Sequence, residues 1–467
     1  MSETTKTTIV PRNILFPFIL LATCFAMWGL SNNMTDPLVK AFLKIFPELS
    51  TAQTALIQNA FYGAYFVLAI PGAVIAHKFG YKKGVLVGLG IYILGGLLFY
   101  PASLMLQFSP FLFAFFVLAG GLSILETNAN PYIIAMGPEE TATRRLNLAQ
   151  SFNPVGSLIG LFLCKFAILT KLEVVNQKIT EGMAAEEVKA LQVEQLNIVM
   201  TPYFIAALVL IVLWILIATN KNMPTVKGDA NEANVGSTVN FLLTKTNYLF
   251  AVVAMFFYVG AQIAVWTYTF HYITGQLGIE DSEAMNYHII AIILFSVSRW
   301  MFTGLMAFFK PSTLLAFASF IAMLCSLGVM YGGDIAFDGY IPFIGPAPFT
   351  LGIVCLILTS VCMSLMFPTI FGLGSRGLGT ATKLGASGLI MAILGGALLP
   401  LLQGKLIDVF DGETAMGPAA AKSYVVPLVC FVVAFAYGLY AGFSEPTEPA
   451  ATLFSVQHKL VNGYSKI

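Results

Sequence analysis

Twelve stretches of this chain are apolar for the roughly 20 residues that a helix needs to cross a bilayer. The first six lie near 14–36, 55–76, 84–107, 110–137, 146–170 and 200–219. The second six lie near 246–274, 286–309, 312–332, 343–372, 382–407 and 424–443. Between the two sets runs NKNMPTVKGDANEANVGST, residues 220–238, with no apolar periodicity. Such a stretch is a linker. Six spans, a linker and six more spans is the layout of two similar halves that rock against each other. The expected fold is an all-α membrane protein of twelve transmembrane helices in two six-helix bundles. The expected division is 1–219 for the first bundle, 220–245 for a cytoplasmic linker, 246–444 for the second bundle and 445–467 for a cytoplasmic tail.

Charge supports the same reading. Only 10% of the 467 residues are charged, against about 25% in a soluble domain. So few charges cannot cover a surface in water. The net charge of +1 gives no reason to expect a nucleic-acid partner. The six cysteines, Cys24, Cys164, Cys325, Cys355, Cys362 and Cys430, lie in apolar runs without metal-ligand spacing, so they read as small buried residues and no metal or cofactor is expected. The start, MSETTKTTIVPRN, is polar, and no cleavable signal peptide is evident.

Basic loops set the orientation. His77, Lys78, Lys82, Lys83, Arg144, Arg145, Lys221, Lys227, Lys310, Arg376 and Lys383 fall on the side of the termini. Glu280, Asp281, Glu283, Asp334, Asp338, Asp411 and Glu413 fall opposite. The termini are therefore expected to be cytoplasmic. Residues 171–198 read as an amphipathic external helix, with Val188, Leu191, Val193 and Leu196 placed to pack on the bundle mouth. A surface cap and a gating or partner-binding role are both open for it.

Charges inside spans cost a few kcal/mol each and mark function by default. Asp36, Glu126, Lys165 and Arg299 are such charges, with Lys405 near a span end. Glu126 lies mid-span, and Asn130, four residues on, shares its helix face. Pro131 frees a backbone carbonyl there, which is tolerable where protein or water lines the site. Asn32, Asn33 and Asp36 form a similar face. Asp36 is either a cavity acid or an interfacial acid at a helix end. Asn147, Gln150 and Asn153 make a third polar face, either for a hydroxylated ligand or as interhelical glue. Gln262, Trp266, Tyr268 and His271 follow in span seven. An indole suits the C–H face of a pyranose, although Trp266 also fits an interface belt. His271 reads as interfacial or structural. For Arg299, a bridging or gating role and a snorkelling role are both open. No P-loop, catalytic triad or metal cluster is present, so neither ATP-driven transport nor enzymatic chemistry is expected. A carboxylate taken out of water gains proton affinity, so such an acid can load and release a proton near neutral pH.

Four stretches carry a resemblance: WGLSNNMTDPL (28–38), LETNANPY (125–132) with RLNLAQSFNPVG (145–156), YVGAQIAVWTYTFHY (258–272) and CMSLMFPTIFGLG (362–374). In these the chain resembles the fucose–galactose–glucose:proton symporter family of the major facilitator superfamily, in order and over nearly its whole length. The external segment 171–198 is outside that pattern. The resemblance implies a major facilitator fold in a bacterial inner membrane, importing a monosaccharide with protons and working as a monomer. It implies proton coupling at Asp36 and Glu126. It places Asn33, Gln150 and Asn153 in the sugar cavity, and Glu126, Asn130, Gln262, Trp266 and Phe367 complete the expected substrate site. One departure matters. Fucose-type members carry a tyrosine where this chain has Phe367, before Pro368, and MFPTIF is closer to the glucose/galactose type. The reading favours glucose/galactose, with L-fucose next and N-acetylglucosamine open. Sodium coupling and a non-transporting sugar sensor are the alternatives.

Overall fold

The computed structural model describes residues 8–45, 51–169, 171, 172, 175, 183, 185–224, 235–341, 345–411 and 416–444. Among them, twelve helical stretches are long and apolar enough to cross a membrane. The first set comprises α1 (Leu15–Ile45), α2 (Thr51–Phe79), α3 (Tyr81–Met105), α4 (Phe108–Ala135), a broken span of α5 (Ala142–Gln150) and α6 (Phe152–Leu163), and α7 (Ala185–Thr219). A short α8 (Val235–Leu243) lies within the stretch 220–245 expected as linker. The second set comprises α9 (Thr246–Leu277), α10 (Asp281–Leu305) and α11 (Pro311–Tyr331). It continues with a broken span of α12 (Leu351–Met363) and α13 (Met366–Gly374), then another of α14 (Thr382–Met391) and α15 (Gly395–Asp411). Short α16 (Met416–Lys422) leads into α17 (Val425–Ser444). With an even number of crossings, both chain ends lie on one side, called here the terminus side.

Three boundaries differ from the sequence reading. First, α1 runs on past Asp36 to Ile45, so Asp36 does not end the helix. The side chains of Asn33 and Asp36, like that of Lys165, lie outside the described residues. Second, no separate external helix covers 185–198. Those residues are the start of α7, which is 35 residues long. Its helical periodicity is unbroken up to Pro202, and a proline costs an established helix one hydrogen bond without ending it when neighbours pack around it. Leu196 is buried, and Gln192 Nε2 donates to the Ile45 carbonyl at 3.2 Å. Most of 171–184 lies outside the described residues. Third, span ten begins at Leu351 rather than near 343. Strands β1 (Ala336–Ile341) and β2 (Gly345–Thr350) pair antiparallel in the preceding loop. In GPAPFT, Pro346 and Pro348 remove two backbone donors, which a helix interior cannot spare and an edge strand can. The hairpin rests on α10, where Tyr287 donates to the Pro348 carbonyl at 2.6 Å and stands edge-on to Phe349.

Candidate functional site

Close helix packing builds the first wall of a central cavity. A Cβ on Gly156 would overlap the Ala26 carbonyl, and one on Gly29 would overlap the Asn153 carbonyl. The backbones of α1 and α6 therefore touch, as small residues allow in a membrane. This sets Trp28 beside Asn153, whose Nδ2 reaches the Phe25 carbonyl at 3.4 Å. Phe61, Tyr62 and Tyr65 of α2 face this wall across the cavity. Gln262 and Trp266 of α9, Phe295 of α10 and Phe367 of α13 line the side contributed by the second set. The empty volume, open mouth included, is about 690 Å³. Trp266 Nε1 donates to Ser360 Oγ at 3.3 Å and its ring meets Phe295 edge-on, so the indole is held in place.

Glu126 stands one layer behind. It is 4% exposed, and its Oε2 is buried without a hydrogen-bond partner. The Asn130 amide and the Tyr65 hydroxyl flank the carboxyl. Tyr65 also accepts a hydrogen bond from Trp28 Nε1, so one phenol joins the buried acid to the cavity wall. Asn130 Oδ1 accepts from Gln150 Nε2 at 2.9 Å, while Asn130 Nδ2 is buried without a partner.

Arg299 of α10 closes the terminus side. It is 3% exposed, so it does not snorkel. Its Nε donates to the Ser364 carbonyl at 2.5 Å, its Nη1 to the Gln150 carbonyl at 3.1 Å, and its guanidinium lies 4.7 Å from the Phe295 ring centre. Three further hydrogen bonds that cross between the two sets lie on the same side. Asn147 Nδ2 reaches Thr369 Oγ1 at 3.3 Å, Arg144 Nε reaches the Thr303 carbonyl at 3.2 Å, and Ser151 Oγ meets Thr303 Oγ1 at 3.4 Å.

The expected residues thus separate into layers. Asn153, Gln262, Trp266 and Phe367 line the cavity. Glu126, Asn130 and Gln150 are buried behind it. The polar face of span five divides its work: Asn147 ties the two sets together, Gln150 holds Asn130 and Asn153 faces the cavity. His271 and Lys405 are exposed, as interfacial residues are. Sequence reading missed Tyr65, Tyr62 and Phe61, because an aromatic in an apolar run carries no signal of its own. Trp28 sat in a quoted motif without being singled out.

Two six-span sets around a central cavity, with a buried acid beside it, define a membrane transporter. The model of the Major Facilitator Superfamily matches residues 18–400, and this chain belongs to that family. It is 40% identical over 439 residues to the L-fucose-proton symporter of Haemophilus influenzae, covering 93% of this chain and 98% of that one. It is 33% identical over 442 residues to the L-fucose-proton symporter of Escherichia coli, covering 93% and 94%. It is 30% identical over 434 residues to a glucose/galactose transporter of Brucella abortus, covering 92% and 94%. A crystal structure of the Escherichia coli fucose:proton symporter superposes with a TM-score of 0.78 at 32% identity, covering 92% of this chain and 99% of that one.

Proposed function

We propose that this chain is a proton-coupled importer of a hexose that works by alternating access in a bacterial inner membrane, with its termini cytoplasmic. The observation that carries the reading is the link Glu126–Tyr65–Trp28, which joins an acid with an unpaired oxygen to the wall of the cavity. The sugar lies against Trp28 and Trp266, with Asn153 and Gln262 taking its hydroxyls. Amides donate and accept at once, as a hydroxyl requires. Glu126 takes the proton, and Asp36 is assigned to coupling with it. In the conformation described, Arg299 and its neighbours tie the two halves together on the terminus side, as an outward-facing state requires. The work done is transport; the coupling free energy comes from the proton gradient.

The leading substrate is L-fucose. The fucose symporters are the more similar of the relatives above. Val259, Ile263, Ile292, Phe295 and Phe367 also give the cavity an apolar wall, which accepts the methyl group of a 6-deoxyhexose without stranding a hydroxyl. Phe367 in place of a tyrosine supports glucose/galactose as the second reading. Competition of radiolabelled L-fucose uptake by glucose, galactose and N-acetylglucosamine decides between them. No uptake of radiolabelled L-fucose, or uptake blocked by glucose or galactose at concentrations far below those at which unlabelled L-fucose competes, overturns the first.

A further inference from the structure

We propose that Asn130 is a positioning residue that reports the protonation of Glu126 to the closure between the two halves. This rests on the symport reading above and adds the route by which the proton acts. The geometry is a line of side chains. Asn130 lies one helical turn from Glu126 on α4 and flanks its carboxyl. Its Oδ1 is engaged by Gln150 Nε2 at 2.9 Å. The backbone carbonyl of the same Gln150 is held by Arg299 Nη1 at 3.1 Å, across the divide between the halves. Asn130 itself is fully buried and does not line the cavity.

The two unpaired atoms at this place complement each other. Glu126 Oε2 is an acceptor without a donor, and Asn130 Nδ2 is a donor without an acceptor. An ionised Glu126 takes the unpaired Asn130 Nδ2 as its donor while Asn130 Oδ1 stays on Gln150 Nε2. When Oε2 takes a proton from water on the open side, the acid becomes a donor at that oxygen. The amide then satisfies it only by turning Oδ1 toward the acid. That turn sets Asn130 Nδ2 against Gln150 Nε2, donor against donor, so the Gln150 side chain must turn or give up this bond. Gln150 is the residue Arg299 grips, so protonation loosens the closure from the first half. Release of the proton to the other side restores the amide. The titratable groups facing Glu126 are few. α2 brings the Tyr65 phenol, and α3 brings Tyr92 behind it. On α5, Arg145 is turned to the Ile133 and Pro138 carbonyls. Lys383 sits at the terminus end of α14. The Asp36 side chain of α1 lies outside the described residues.

The test uses the full chain in proteoliposomes, with wild type beside Asn130→Ala and Asn130→Asp. The aspartate keeps the size but offers no N–H, so it serves if the alanine variant folds poorly. Three quantities are read: the sugar Kd, the accumulation driven by an imposed pH gradient, and the distance between spin labels at Thr219 and Phe308 as pH is varied. Expected in a folded variant are a Kd within threefold of wild type, at least a tenfold loss of accumulation, and a label distance that no longer responds to pH. A Kd weakened as much as accumulation makes Asn130 a sugar ligand and overturns the proposal. A wild-type pH response of the label distance in both variants makes it structural and also overturns it. If wild type itself accumulates no sugar under the pH gradient, the symport reading falls. If wild type accumulates and the variants match it, only the relay falls.

Discussion

Arg299 donates to the carbonyls of Gln150 and Ser364, and these are the residues four before Pro154 and Pro368. A helix bonds the N–H of each residue to the carbonyl four before it, and proline has no N–H to give. Each proline therefore leaves one carbonyl open, one in span five and one in span ten. A single guanidinium from span eight, with five donors in a fixed fork, serves both. The broken helices α5–α6 and α12–α13 are tolerated because this arginine completes them.

Arg299→Met should open the terminus side. It strands two buried carbonyls in the closed form, at about 1–3 kcal/mol each, so the equilibrium between the two faces should shift by at least tenfold. Labelling of a cysteine introduced at Thr303 by a reagent added from the terminus side measures this. Arg299→Lys should be intermediate, since an ammonium cannot span both carbonyls in the same geometry. Unchanged labelling in the methionine variant would show that other contacts hold the closure.

Tryptophan fluorescence should report the sugar through Trp28 and Trp266, which line the cavity, while Trp214 and Trp300 lie outside it. Quenching by sugar should survive Trp214→Phe and Trp300→Phe and fall by about half with Trp266→Phe. Trp266→Ala should weaken the sugar Kd by roughly tenfold to a hundredfold, the worth of about 1.4 to 2.8 kcal/mol. Quenching that follows Trp214 would place the sugar elsewhere.

Helix contact at the α1–α6 pair sets the wall that carries Trp28 and Asn153. Gly156→Val forces a side chain into the Ala26 carbonyl, and overpacking costs about 1–3 kcal/mol. A lower Tm in detergent and a loss of sugar binding should appear together. Gly304→Ala is the control, because a Cβ there meets nothing within 4 Å, and its Tm should be unchanged or slightly raised. Equal loss in both variants would remove the packing argument.

Phe367→Tyr returns the hydroxyl found in fucose-type members. It should alter the ratio of uptake between L-fucose and galactose by fivefold or more, with total binding retained. Competition curves for the two sugars read that ratio. No change would mean that Phe367 lines the cavity without touching the sugar's distinguishing groups.

Much of this arrangement was legible because charge in an apolar span is rare. Glu126 stood out by that alone, and the spacing to Asn130 placed both on one face. The helix breaks beside Pro154 and Pro368 were not legible, since the expected spans 146–170 and 343–372 ran through both prolines. The partners across helices were not legible: nothing in the run around Tyr65 distinguishes it from a lipid-facing tyrosine, and Arg299 read equally as a snorkelling residue. Helix ends were the other limit. Asp36-Pro37 looks like a terminus in a linear reading, yet α1 continues to Ile45, whose carbonyl takes a hydrogen bond from Gln192 of α7. The proline-rich hairpin before Leu351 is apolar enough to pass for part of a span.

The central claim is that a proton at Glu126 drives the sugar. Uptake of radiolabelled L-fucose into right-side-out vesicles, with a pH gradient or a sodium gradient imposed separately, tests it most directly. Wild type should accumulate sugar under the pH gradient alone. Glu126→Gln, which carries no exchangeable acid, should lose that accumulation while still binding the sugar. Accumulation driven by sodium alone, or an undiminished pH response in Glu126→Gln, would contradict the account.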